Sequence, residues 1–267
     1  MDWDEMARPW LEAADDLELC LKPVQDALMA AAALQPGERV LDIGCGTGPG
    51  LLAAHAAVGP EGKVLGVDIA PPLVARAQER VPDTVEVVVG DAESHPIADA
   101  GFDVVISNFG TMFFDDTEAA FLNLRQAVGG AGRLAATVWG PPYANPYFIK
   151  PREIVDSIVP DVPRPDPTGP GPMRFGDPVP LLGMTTAAGW APEIKTVDLH
   201  LTPPGPPEQV AALHMKVTAG MMLRGVEVTD AQLAAVEAAL VAMCADAAQN
   251  GVITFPAQIH VVTATAA

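Results

Sequence analysis

Three carboxylates and three glycines stand in this chain at the spacing a ligand site needs. Asp42, Asp68 and Asp91 each stand at or near the end of a short apolar run, at 39–43, 63–68 and 85–91, that reads as a buried strand of a parallel sheet. The first run breaks into Gly44, Gly46 and Gly48 before the chain turns helical through Leu51, Leu52 and Val58. Glycine tolerates positive φ and lets a ligand approach the backbone. The following helix offers unpaired N–H groups and a positive dipole end, so the turn suits a ligand with a negative group.

Spacing narrows the ligand. A dinucleotide turn reads G-x-G-x-x-G, but Pro49 and Leu51 fall where its last glycine belongs in the two registers. What stands here is acidic-x-Gly-x-Gly-x-Gly, opened by Asp42. This resembles motif I of the class I S-adenosylmethionine-dependent methyltransferases, in the form of the ubiquinone/menaquinone-biosynthesis-like (type 11) group. The resemblance implies that Asp42, Gly44, Cys45 and Gly46 hold the cofactor, with Asp68 and Ile69 at its ribose and Asp91 and Ala92 at its adenine. A carboxylate at a neighbouring strand tip can accept both ribose hydroxyls. The passage 107–116, Ser-Asn-Phe-Gly-Thr-Met-Phe-Phe-Asp-Asp, is similar to the segment after strand four of that group, which puts Asn108 and Phe109 beside the methionine moiety.

The elements that must position these residues alternate strand and helix from 39 to 138. The expected fold is α/β: a doubly wound, Rossmann-like, mostly parallel seven-stranded sheet whose last strand is antiparallel. Further strands fall at 101–108, 132–138, 193–201 and 253–262, with an amphipathic helix at 117–128. Residues 1–38 read as N-terminal helices, 6–21 and 24–34, which in the resembling family can form a lid. Residues 39–202 and 251–267 form the cofactor-binding core, with a proline- and glycine-rich loop at 159–175 that is either a surface excursion or a lid. Residues 203–250 are a helical insertion between strands six and seven, capping the C-terminal edge of the sheet and contributing to the substrate pocket.

Fifteen basic against 34 acidic residues give a net charge of −19, a field that repels polyanions and anionic membranes. The expected partner is a small molecule, not nucleic acid or membrane, bound by a monomer or homodimer. Cys20, Cys45 and Cys244 have no metal-ligand spacing, so no metal is expected. With no basic n-region or apolar h-region at the start, they point to a reduced, cytoplasmic setting.

Methyl transfer from a sulfonium needs the acceptor held in line and water excluded. Phe113, Phe114, Trp139, Tyr143 and Tyr147 follow strands four and five and could wall such a pocket. Gly140-Pro-Pro-Tyr143 imitates the (Asp/Asn)-Pro-Pro-(Tyr/Phe) motif of amino-nitrogen methylases, but it follows the wrong strand and lacks the amide or acid. A base is needed only for a poorly acidic acceptor. His214, on a stripe with Val210, Leu213, Val217 and Met221, is the foremost candidate, against a packing role, with His200 at the end of the sixth strand a further one. His260 and His55 read as structural, and His95 as a neighbour of the adenine. The expected function is methyl transfer to an oxygen, carbon or nitrogen of a small molecule, yielding S-adenosylhomocysteine. The alternative is a cyclisation or rearrangement on the same fold with the cofactor merely bound.

Overall fold

The computed structural model describes residues 3–97 and 101–267. Its sheet of seven strands has the order β3-β2-β1-β4-β5-β9-β6, with β1 (Arg39–Ile43), β2 (Lys63–Asp68), β3 (Val85–Val89), β4 (Phe102–Asn108), β5 (Val128–Trp139), β6 (Trp190–Leu201) and β9 (Phe255–Ala266). Only β9 runs antiparallel, wedged between β5 and β6. Strand order reverses between β1 and β4, and ligands of such sheets bind beyond the carboxyl ends of the strands at that switch point. The seven-stranded reading of the sequence is met.

Alternating strand residues feed two cores. Leu41, Ile43, Val105 and Leu134 face one, and Val40, Val104, Ile106 and Ala135 the other. The second is closed by α3 (Pro49–Val58) and α4 (Pro71–Arg80), both started by a proline whose missing N–H costs nothing there. The first is closed by α5 (Thr117–Ala127), α6 (Pro146–Ile158) and α7 (Val179–Ala187), and by the helices α8 (Pro207–Val217), α9 (Ala219–Met222) and α10 (Asp230–Asp246) that lie between β6 and β9 in the chain.

The N-terminal helices divide elsewhere than expected. α1 (Trp3–Glu12) ends before Ala13, and α2 (Ala14–Ala32) runs unbroken through Pro23. A helix-interior proline costs about 3 kcal/mol. Full burial of Leu17, Cys20, Val24 and Leu28 returns roughly 1.5–3 kcal/mol for each large side chain, so the stripe outweighs the proline. The final strand starts at Phe255 because 248–253 forms a separate hairpin, β7 (Ala248–Gln249) with β8 (Val252–Ile253). Asn250 and Gly251 turn it with φ of 53° and 80°, as Asn-Gly hairpins do.

The loop after α6 is pinned to the body. Arg152 donates to the carbonyls of Val162 and Pro163, Gly171 N–H donates to Met112 O at 3.0 Å, Arg174 donates to Phe114 O, and Phe175 is buried. These contacts fasten the loop to the turn after β4.

Candidate active site

The turn after β1 is forced open by its glycines: Gly44, Gly46 and Gly48 all have positive φ, at 67°, 56° and 91°. At Gly44 the freedom serves a close approach. A Cβ there would lie 2.9 Å from the Cα of Gly110, and one on Gly110 would lie 2.7 Å from Ile43 O. The β1 and β4 tips therefore touch backbone to backbone, held by Ser107 Oγ donating to Ile43 O at 2.7 Å. Gly46 has open space on its Cβ side, while its N–H is taken by Asp68.

Two carboxylates lie under this turn. Asp68 accepts from the amides of Gly46 at 2.8 Å and Ala70 at 2.9 Å, and its own carbonyl accepts from Gly90 N–H at 2.9 Å. One residue thus ties the tips of β1, β2 and β3 together. Asp91 follows directly, its carboxylate accepting from Glu93 N–H at 2.9 Å, while the His95 ring packs over Gly90. Asp42 is buried against Gly50 in the first turn of α3, where a Cβ would fall 2.3 Å from Oδ2. The acid nearest that helix end is the chain's own.

Burial pushes the Asp42 carboxyl up to about 7, with the neighbouring Asp68 adding to it. Burial likewise raises Asp68, against the pull of the amides of Ala70 and Gly46. No basic side chain is among the groups acting on either. Two buried acids with no basic side chain acting on them fit a ligand that brings positive charge, as a sulfonium with an ammonium does, while the β2 and β3 tips fit its nucleoside. The Cys45 thiol is buried, and burial raises it far above the usual range, so its place in the turn is a backbone one. Ile69 is exposed at the mouth of the crevice.

Beyond β4, Asn108 Oδ1 accepts from Thr137 Oγ1 at 2.7 Å and its Nδ2 donates to Gln25 Oε1 at 3.1 Å. Phe109 is held at φ 67°, a conformation rare for a bulky residue and enriched at ligand sites. Its ring stacks on Trp139 at 4.1 Å. Phe113 meets Trp3 of α1 edge to face at 5.4 Å, and Phe114 is buried against Phe121.

α2 is fastened over the glycine turn. Glu18 accepts from Thr47 Oγ1 at 2.7 Å and from both guanidinium nitrogens of Arg80, and Arg80 also donates to Thr47 O at 2.9 Å. Burial works against the Glu18 carboxylate, but the hydrogen bonds of Arg80 and Thr47 outweigh it and hold its pKa below the usual range. Glu18→Ala is expected to raise the cofactor off-rate about tenfold with little change in on-rate, read by stopped-flow fluorescence; an unchanged off-rate would separate α2 from the site.

Of the other residues singled out in the sequence, Trp139 and Tyr147 are buried in one aromatic cluster. Tyr143 is not part of it: its side chain is 86% exposed, carried outward by the turn at Pro142–Ala144. His214 lies on the apolar stripe of α8 as expected, but the stripe faces the core, where His214 packs on Tyr147 and Phe255. Burial pushes its pKa down to about 4, so the near-neutral value expected of a base is absent. His260 is structural, its ring nitrogens 2.9 Å from Thr196 Oγ1 and 3.2 Å from Gly176 O. Glu18, Gln25, Gly50 and Gly110 went unread. Gly110 had a signal, following Phe109 in the segment 107–116, whereas the acceptors on α2 had none.

Strand order and glycine turn agree with the resemblance of the sequence to class I S-adenosylmethionine-dependent methyltransferases. Residues 40–132 match the methyltransferase domain family. The chain is similar to nocamycin O-methyltransferase of Saccharothrix syringae, 34% identical over 148 residues, which are 52% of this chain and 53% of that protein. It is also similar to aklanonic acid methyltransferase DauC of Streptomyces sp. (strain C5), 35% identical over 105 residues, 38% and 48% of the two chains. The chain thus spans about half the length of these curated relatives. Among solved structures, a putative methyltransferase from Bacillus halodurans C-125 superposes with a TM-score of 0.56 at 20% identity, over 90% of this chain and 97% of that one. The [4+2]-cyclase SpnF superposes with 0.53 at 20%, over 91% and 80%. These two share the fold.

Proposed function

We propose that the protein transfers a methyl group from S-adenosylmethionine to an oxygen, carbon or nitrogen of a small organic acceptor, in the manner of a secondary-metabolism enzyme. The observation that carries this is the pair of buried acids, Asp42 and Asp68, with no basic side chain acting on either, under a glycine turn shared by three adjacent strand tips. In this reading Asp68 and Ile69 hold the ribose, Asp91 and Ala92 the adenine, and Asp42 with the backbone of Gly44, Cys45 and Gly46 the methionine end. Asn108 and Phe109 flank the reacting methyl. The cofactor supplies an electrophilic methyl group on a sulfonium. The protein's part is to align the acceptor and exclude water, which Phe109, Trp139 and the helices of 203–250 do above the crevice. The net charge of −19 opposes nucleic acid and anionic lipid, and no helix among the described residues is long and apolar enough to cross a membrane. We take the setting as cytoplasmic and the assembly as monomer or homodimer.

S-adenosylmethionine and S-adenosylhomocysteine should raise the melting temperature by several degrees at 1 mM, and NAD should not. A shift with NAD alone would remove this reading. With an acceptor in hand, S-adenosylhomocysteine must form in step with product; product without it would identify a cyclase or isomerase on the same fold.

A further inference from the structure

The sheet is open at β6. That strand runs for 12 residues with β9 as its one strand neighbour, whereas β3 at the opposite margin has 5. Which backbone groups β6 turns outwards follows from its register. Ala267 N–H donates to Gly189 O at 3.1 Å, one step before the Trp190–Ala266 pair, and the register then runs without a shift to Leu201 and Phe255. Gly189 therefore faces β9, and so does every second residue after it, from Ala191 to Leu201. Between them Pro192, Ile194, Thr196, Asp198 and His200 point their backbone groups away from the sheet. Pro192 agrees with this, because a strand proline is tolerated where its nitrogen faces out. Among the described residues, none of these outward groups makes a hydrogen bond.

An open edge of this length is a template for another strand, and its side chains say which one. In a two-fold antiparallel pair one residue faces itself at the centre, and residues equally far before and after it meet across the seam. A centre at Glu193, Lys195 or Asp198 sets a like charge against itself, and a centre at Thr196 or Val197 pairs no charges. Centred on Ile194, the pair puts Glu193 of each copy opposite Lys195 of the other. Both side chains are exposed, lie on one face of the strand, and make no ion pair among the described residues. The four charges would close into a square of alternating sign.

The backbone suits the same centre. Glu193 and Lys195 turn their own backbone groups to β9, so across the seam they form the pair without backbone bonds, whose side chains come closest, with Cα atoms about 4.5 Å apart. Ile194 exchanges both its bonds with its own copy. Thr196 N–H donates to Pro192 O, and the proline forfeits only the return bond. Edge charges that deter a foreign strand here select a second copy of the chain.

We propose that β6 is the interface of a two-fold homodimer, in which the β6 strands of two copies pair antiparallel about Ile194 and join their sheets into one. β5 and β9 separate this seam from the β1 and β4 tips, so the inference stands apart from the methyltransferase reading.

The test is sedimentation equilibrium of the full chain up to about 200 μM in 0.15 M NaCl, where repulsion between two chains of net charge −19 is screened beyond about 8 Å. The native protein should dimerise. Lys195→Glu replaces two opposite-charge contacts by two like-charge ones and should weaken the dimer about thirtyfold. Glu193→Lys and Lys195→Glu together exchange the charges but keep their alternation, and should return the dissociation constant to within about threefold of the native one. A native chain that stays monomeric throughout would overturn the proposal. So would a dimer indifferent to Lys195→Glu, or one that the double exchange fails to restore.

Discussion

Gly44→Ala should weaken S-adenosylmethionine binding at least a hundredfold while leaving the sheet folded. The residue sits at φ 67°, which costs an L-residue about 1–2 kcal/mol. The larger effect is steric. The new Cβ would fall 2.9 Å from Gly110 Cα, and main chain cannot swing aside as a side chain can. The turns after β1 and β4 must then part, and Gly46 and Phe109, which those turns carry, part with them. Gly37→Ala is the matched control. Its φ is 85° and its Cβ would meet nothing within 4 Å, so it carries the backbone cost without the collision. Calorimetric titration of both variants is the measurement. Equal affinities would show that the glycine contact between the two tips has no part in binding.

Asp42→Asn should stabilise the cofactor-free protein at pH 8 and still weaken cofactor binding by about thirtyfold or more. The reasoning is one of linkage. Below pH 3.8, the ordinary value, Asp42 is protonated in both folded and unfolded chains and contributes nothing. Between there and about 7 the unfolded chain ionises while the folded chain keeps its proton, so stability falls as pH rises. Above that the penalty is complete, on the order of 4 kcal/mol at 1.36 kcal/mol per pKa unit. Asparagine escapes it. A cationic ligand offsets it, because it favours the ionised form, so binding expels a proton and affinity should fall about tenfold per pH unit on going below pH 7. The asparagine variant should lose that slope. Melting curves from pH 5 to 8, with and without S-adenosylmethionine, check both halves. A variant less stable than the native protein at pH 8, or one that binds as tightly, would contradict the account.

β1, β2 and β3 were legible in the sequence because each is a short, largely apolar run closed by glycine or aspartate, and runs of that kind have few alternatives. Asp42, Asp68 and Asp91 were legible for the same reason: a strand end fixes where its last side chain lies, and neighbouring strands put the three ends together. The helices obeyed less local rules. Pro23 marked a break that tertiary burial overrode, and the break came at Ala13, where nothing in the local sequence announces one. Asn250-Gly251 did announce a hairpin, but it lay inside a stretch dominated by alanine-rich helical pattern. Tyr143 and Tyr147 illustrate the limit for pocket residues. They are four apart and equally aromatic, yet one is in solvent and the other in the core, because the short turn at Pro142–Ala144 precedes the first turn of α6. The stripe from Val210 to Val217 is buried along α8, whereas Met221 falls beyond the break at Thr218 in α9; a stripe does not say whether it looks onto a crevice or onto other side chains.

α2 touches three separate places: Glu18 accepts from Thr47, Gln25 Oε1 accepts a hydrogen bond from Asn108 Nδ2, and Cys20 lies against Tyr147. A rigid rod pinned at three points cannot rise from one of them alone. A shift at any one of them is therefore felt at the other two, through a helix whose Leu17, Cys20, Val24 and Leu28 are buried in the body.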